Sequence, residues 1–410
     1  MKKLVVMKFG GSSVADAGKI KHVAGRVIEK KKAGFGVVVV VSAPGDMTDD
    51  LIEMAQEVSD DPSPRELDML LATGEQASIA LLCMALHSQG HDAISLTGPQ
   101  AGIFADMDHT RARITDIQPK KVREQLTRKR IVVVAGFQGL NANEDITTLG
   151  RGGSDLTAIA LAAALQADLC EIFTDVEGVY TTDPRVVPDA RKLNEISYDE
   201  MLELAGSGAQ VMQGRSVEVA KKFGVVFEVR STFSKASGTR VHQEVSQMED
   251  VVVSGIAFDR KQAKISMVDV PDRPGVAASI FGALAKAGVN VDMIIQSEAR
   301  EGTNDISFTV SEGEVKKALS ALDLVKHKLE AKELASDTTV AKVAVVGVGM
   351  RSHPGVASRM FQALADHKIN IQMISTSEIK ISCIISRSKV EDAVKVLHQE
   401  FGLGKTVKNR

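Results

Sequence analysis

A repeat restricts this chain more than any other feature. Thirteen residues within 274–298 recur unchanged 80 positions later. They are Pro-Gly-Val-Ala at 274–277 and 354–357, then Phe281, Ala283, Leu284, Ala285, Asn290, Met293, Ile294, Ser297 and Glu298 with their counterparts Phe361 to Glu378. Each copy reads as a strand (265–268; 343–346), a Pro-Gly turn, a helix and two more strands, the first opened by Asn290 or Asn370. Val276, Ile280, Phe281 and Leu284 make an apolar stripe in one helix, and Val356, Met360, Phe361 and Leu364 make the same stripe in the other. A unit this small buries too little apolar surface to stand alone, so the two copies are expected to pack together. Met293 and Met373 are expected in that core rather than at a ligand.

The front of the chain obeys a different grammar. β-branched runs at 4–6, 37–41, 131–135, 171–174 and 225–229 alternate with longer amphipathic stretches. That predicts an α/β fold around a largely parallel, buried sheet. Residues 231–250 are rich in Ser, Lys, Gly and Glu without apolar periodicity, which marks a boundary. The expected division is a first domain at 1–235, a linker at 236–250, and repeat modules at 251–335 and 336–410.

Composition excludes several classes. A hydrophobic share of 44% with 25% charged residues is that of a folded protein rather than a disordered one. The net charge of −3 gives no general attraction for nucleic acid or an anionic membrane, so an anionic ligand needs a local site. No apolar run reaches the roughly 20 residues of a membrane helix, and the opening residues read as a strand rather than an export signal. Cys83, Cys170 and Cys383 lie far apart, which suggests neither a disulfide framework nor a metal knuckle and points to a reducing cytoplasm. The histidines show no metal spacing; His22, His87, His91 and His109 read as surface or loop residues, and Lys30, Lys31 and Lys32 as a solvated helix end.

Four segments carry chemistry. Lys8-Phe9-Gly10-Gly11-Ser12-Ser13 follows the first strand, and such a turn offers backbone N–H groups and a point charge to phosphate at the start of a helix. Taken alone, it reads sooner as a tight strand-to-helix turn with Lys8 in solvent. Gly150-Arg151-Gly152-Gly153-Ser154-Asp155 opens a helix and sets a bidentate donor among glycines; the plainer reading makes Ser154 or Asp155 a cap, which leaves Arg151 unexplained. The polar run from Thr174 to Arg185 follows a strand end, where parallel sheets bind ligands, although Glu-Gly and Asp-Pro also make ordinary turns. Thr73 with Gln76 has capping-box spacing at a helix start, leaving Glu75 to project.

Together with Val41-Ser42-Ala43, Thr48 and Phe137-Gln138-Gly139, these segments resemble the aspartate kinases of the amino-acid kinase fold, and the repeat, with Ser375 to Ile379 in its second copy, resembles their paired ferredoxin-like ACT modules. The resemblance implies transfer of the ATP γ-phosphoryl to the side-chain carboxylate of L-aspartate, with Mg²⁺ carried mainly by the phosphates and no metal site of the protein's own. It implies Lys8 and Asp155 as catalytic, and Ser42, Thr48, Glu75 and Arg151 as aspartate contacts. Lys8, Gly10, Gly11, Ser12, Thr174, Asp175, Tyr180, Asp183 and Arg185 would hold the nucleotide, joined by Gln210, which stands where many members carry a lysine.

By the same resemblance, lysine and threonine, alone or jointly, would act as feedback effectors in a pathway that leads to lysine, threonine and methionine. Their contacts would be Asp272, Pro274, Gly275, Val276, Asn290 and Gln296 in one module and His353, Gly355, Val356, Asn370 and Ser375 in the other. The modules would also build a homo-oligomer, with an α₂β₂ form if a short subunit starts at Met248. The rival readings are a glutamate or N-acetylglutamate kinase of the same fold, and an amino-acid sensor whose kinase domain is inactive.

Overall fold

A computed structural model describes residues 3–209, 211–243, 252–299 and 301–404. The chain forms two compact units. The first holds residues up to Val179, then Lys192–Ala205 and the stretch from 210 to 246; the second holds Tyr180–Arg191, Gly206–Ala209 and the remainder.

The first unit is built on an eight-stranded sheet in the order Glu195–Ser197, Thr239–His242, Phe227–Ser231, Leu169–Thr174, Leu4–Phe9, Gly36–Val41, Ile131–Ala135, Ala93–Leu96. Every pairing is parallel except that between Phe227–Ser231 and Thr239–His242. The five consecutive valines of Gly36–Val41 are wholly buried, as the β-branched run predicts for a strand covered on both faces. Each contributes about 1.5–3 kcal/mol of apolar burial. Helices Ala17–Lys32 and Pro64–Ser88 pack over one face through Val23, Val27, Ile79, Leu82 and Leu86. A second sheet of four short strands, Ile114–Ile117, Ile103–Ala105, Gln138–Leu140 and Ile146–Thr148, adjoins it.

Three expectations change here. The segment expected as a linker contains the strand Thr239–His242, whose Thr239 and Val241 point inward and are fully buried. Lys30 is not simply solvated: its Nζ lies 2.9 Å from Glu171 Oε1. Helix Pro64–Ser88, 25 residues long, has the length and apolarity of a membrane span by composition, yet half of its most apolar stretch is buried in the protein and it carries the buried acids Asp68 and Glu75. It is a core helix.

The second unit contains two antiparallel four-stranded sheets. One runs Ile294–Gln296, Thr303–Ser311, Gln262–Pro271, Glu333–Asp337 beneath helices Val276–Lys286 and Val315–Leu329. The other runs Gly255–Asp259, Val340–Val346, Lys380–Ser386, Ile371–Thr376 beneath Val356–Asp366 and Val390–Glu400. The module limits therefore shift: Gly255–Asp259, expected in the first module, completes the sheet of the second, and Glu333–Asp337 of the first runs past residue 335. Met293 and Met373, the repeat-related methionines, meet in one apolar cluster with Val340 and Ile384. Lys342, 1% exposed, donates to Gly206 O (2.9 Å) and to the Asp292 carboxylate.

Residues 180–191 join this unit because their apolar side chains do. Val187 and Ala190 are buried in the core that holds Val343, Leu364 and Leu397. Thr181 N donates to Arg191 O, Ile256 N donates to Thr181 O, and Thr181 Oγ1 meets His398 Nε2 at 3.0 Å.

Candidate active site

Four parallel strands stop in register. Phe9 lies beside both Val41 and Phe173, and Val41 beside Ala135, so Gly10, Ser42, Gly136 and Thr174 line one carboxyl edge. Gly10 N donates to Phe173 O, Ser42 N to Phe9 O and Gly136 N to Val41 O, at 3.0–3.3 Å. Carboxyl edges of parallel sheets are where such folds bind ligands.

Lys8 Nζ lies 2.7 Å from Asp155 Oδ1, with side-chain exposures of only 12% and 10%. Asp155 occupies the first turn of helix Gly153–Leu165, where the helix dipole favours a negative charge. Neither Ser154 nor Asp155 caps that helix; Gly152 does, with φ 72° and no side-chain bond. Ser154 instead abuts Gly136, where a Cβ would come within 2.5 Å of its Oγ.

The Gly10–Ser13 turn contains a single 3₁₀ turn, Gly11–Ser13. A Cβ on Gly11 would stand 2.8 Å from Ala43 O and 2.9 Å from Gly45 O, so only glycine fits. Among the described residues, the Gly11 and Ser12 amides have no hydrogen-bond partner. Contrary to the expectation, the turn does not open directly into a helix: Ala17–Lys32 begins four residues after Ser13, and Asp16 Oδ1 accepts from Lys19 N, satisfying that helix's own positive end. Ser13 Oγ bonds Thr232 Oγ1 at 2.6 Å, while Arg26 Nε and His22 Nε2 reach Thr232 O at 3.1 and 2.9 Å. This anchor lies more than two hundred residues away in sequence and leaves no local signal.

Glu75 lies within a helix, not at its start. Pro64 supplies the start, and Thr73 Oγ1 donates backwards to Leu70 O at 2.7 Å, so the capping box does not form. Glu75 is 2% exposed; its Oε1 accepts from Ala43 N at 3.0 Å and its Oε2 is buried without a hydrogen-bond partner. Burial pushes this carboxyl up to about 7, against the lowering pull of the Ala43 N–H.

Arg151 is 95% exposed at its side chain, and Asp49 Oδ1, 4.0 Å away, is 65% exposed; such a pair adds little stability. Asp49 follows Thr48 on helix Met47–Val58, so the Thr48 helix and the Arg151 loop are brought together. Ser42 and Thr48 are half-buried and Ser12 is exposed. Thr174 Oγ1 donates to Asp175 Oδ1 at 2.8 Å. Tyr180, Asp183 and Arg185 fall in the second unit, where Arg185 grips Asp183 through Nε and Nη2 and holds its carboxyl below the usual range. Gln210 and Met248 lie outside the described residues.

In the repeat, Gly275 and Gly355 cap their helices at φ 95° and 96° with open space around them. Asp272, Pro274, Asn290, Gln296, His353 and Asn370 are exposed and Ser375 is half-buried. Asp272 Oδ1 accepts from Asn304 Nδ2, and His353 Nδ1 bonds Gly349 O. The side chains of Val276 and Val356 are sunk in the module cores, so a ligand there would meet their backbone. The reading of His109 as a plain loop residue is also incomplete, because its Nδ1 donates to Asp68 Oδ2 at 2.7 Å and Asp68 is fully buried.

The amino acid kinase family matches residues 3–230, and the ACT domain matches 265–324 and 343–401. The chain belongs to the amino acid kinase family. It is 50% identical over 406 residues to the aspartokinase of Mycolicibacterium smegmatis, covering 98% of this chain and 96% of that one, which sets it among the aspartokinases. Among solved structures it resembles E. coli aspartokinase III in complex with aspartate and ADP (R-state), at TM-score 0.84 and 26% identity, covering 97% of this chain and 99% of that one. The same enzyme in complex with lysine and aspartate (T-state) matches at TM-score 0.75 with the same identity and coverage.

Proposed function

We propose that the protein transfers the γ-phosphoryl group of ATP to the side-chain carboxylate of L-aspartate. The observation that carries the choice of an amino acid over a simple carboxylic acid is Glu75: a buried carboxyl with one oxygen bonded to Ala43 N and the other buried without a hydrogen-bond partner, a role that an ammonium would fill. Arg151 takes the α-carboxylate, a charge-assisted contact of about 1.5–3 kcal/mol, and swings from Asp49 to do so. Ser42 and Thr48 flank the substrate.

The reacting carboxylate has an ordinary pKa near 3.9 and is ionised at neutral pH, so no general base is needed. The barrier is repulsion: two unit charges about 4 Å apart cost roughly 4 kcal/mol at an effective dielectric of 20. Lys8 offsets it at the transferring phosphoryl, and Asp155 holds Lys8 on target. The free amides of Gly11 and Ser12 cradle phosphate oxygens beside Gly10, and Thr174 with Asp175 walls the nucleotide. Resemblance alone adds Tyr180, Asp183, Arg185 and Gln210. Mg²⁺ bound with ATP would supply charge neutralisation at the phosphates, which Lys8 and the amides of Gly11 and Ser12 would hold.

The relative that binds lysine supports lysine as an effector here, with threonine as a second candidate, at the ACT modules through the residues named above. The edge strands Ile294–Gln296 and Ile371–Thr376 leave Ile294 and Ile374, repeat-related positions, 53% and 41% exposed, which supports assembly of copies through the modules. Three buried free cysteines fit a reducing cytoplasm.

Hydroxylamine trapping with aspartate, glutamate and N-acetylglutamate tests the reading. Hydroxamate is expected from aspartate alone and to vanish in Lys8→Ala. Formation from glutamate instead would select the rival kinase, and absence of aspartate-dependent ADP release would select the inactive sensor.

A further inference from the structure

Arg151 presents a problem that its own side chain does not solve. A guanidinium 95% exposed, with one loose carboxylate nearby, gains no orientation from packing. Its direction must come from the backbone that carries it. That backbone is framed from two sides. Gly150 and Gly152 both take left-handed φ values, 75° and 72°, and a Cβ on Gly150 would meet Thr110 O at 3.2 Å. Arg215 donates to Leu149 O and Ala112 O at 2.8 and 2.9 Å, and Ala112 N donates to Thr148 O, so the 108–112 loop and the 148–150 segment are clamped to each other.

Both pieces converge on one buried charge. Asp68, with no exposure, accepts from His109 Nδ1 (2.7 Å), from Thr110 N (3.1 Å) and from Thr148 Oγ1. A carboxylate is buried at high cost unless its lone pairs are filled, and these donors fill them. Thr110 itself has φ 67°, a conformation that a β-branched residue keeps only when its surroundings hold it there. Asp68 sits two helical turns before Glu75, so one face of helix Pro64–Ser88 carries both the carboxyl with the unpartnered oxygen and the peg under the Arg151 loop.

We propose that Asp68 and His109 are positioning residues for the substrate: they fix the loop that aims Arg151 and thereby set the affinity for the α-carboxylate of the amino acid. The assignment rests on Arg151 as that anchor. His109→Gln loses the donor at Nδ1, whereas His109→Asn keeps a donor amide in nearly the same place. His109→Gln is expected to raise KM for aspartate about ten-fold with kcat and KM for ATP within about two-fold, and His109→Asn to stay near the parent. Thr148→Val, which removes the second donor with little change of shape, should show the same split and serves if His109→Gln does not fold.

In an Arg151→Ala background, His109→Gln should add less than about two-fold, because its effect runs through Arg151. Equal changes in both KM values, a His109→Asn as poor as His109→Gln, or additive effects in the double variant would overturn the proposal. Arg151→Ala with an unchanged KM for aspartate would instead remove the anchor reading itself, and this inference with it.

Discussion

Glu75 turns burial into a pH dependence. Its carboxyl is raised to about 7 by desolvation, and an ammonium bound beside it favours the ionised form. The free protein therefore protonates Glu75 as pH falls through about 7, and the protonated form cannot hold the substrate ammonium by charge. We expect kcat/KM for aspartate to fall about ten-fold per unit below that point, and Glu75→Gln to lie low and flat across the same range in initial-rate profiles. For stability the sign is opposite. The raised folded value makes the neutral acid the stabilised form, so its contribution is complete below the ordinary carboxyl pKa and is lost as pH rises through about 7. Glu75→Gln should remove that loss in melting curves taken from pH 5 to 8. A parent profile for kcat/KM that stays level to pH 6 would exclude Glu75 as the ammonium partner.

Helix Pro64–Ser88 sets two preferences against each other at Gly74. Alanine is the better helix former by about 1 kcal/mol in a helix interior. A Cβ at this position, however, would sit 2.7 Å from the Ala43 Cβ, and overpacking costs about 1–3 kcal/mol. The clash should win: Gly74→Ala is expected to lower the melting temperature, stretch the Glu75–Ala43 bond and raise KM for aspartate several-fold. A more stable Gly74→Ala with unchanged KM would show that the close approach is not needed. The same helix marks the limit of what local pattern reveals. Thr73 and Gln76 imitate a start because they have capping-box spacing, while the true start lies nine residues earlier at Pro64. The valine run at 37–41 announced its strand; Thr239–His242 did not, because four residues with two inward side chains vanish inside a polar segment. Lys8 and Asp155 stood out because each adjoins a glycine turn at a strand or helix end; Glu75 was singled out by a capping-box spacing that the structure does not realise, and it lies in a helix interior. Asp68 with His109, 41 residues apart, and Ser13 with Thr232, 219 apart, were not, since such pairs share no spacing.

At the scale of the molecule, the division into catalytic and regulatory halves is not a division of the chain at one point. Val187 and Ala190 lie far upstream of the repeat yet are buried with Val343 and Leu397. Burying a side chain such as Val187 contributes about 1.5–3 kcal/mol, and that gain disappears if the repeat is removed. A chain ending at residue 243 is therefore expected to aggregate or to show no aspartate-dependent ADP release, as gel filtration and a coupled assay would report. A soluble, active fragment would mean that residues 180–191 hold their shape without those partners. The same arrangement bears on synthesis. Leu397 follows Val187 by 210 residues. At about 5–20 residues per second, a ribosome needs roughly 10–40 s to deliver it. Throughout that interval the nascent polypeptide carries Val187 and Ala190 without the core that covers them, so folding of residues 180–191 waits on translation of the repeat.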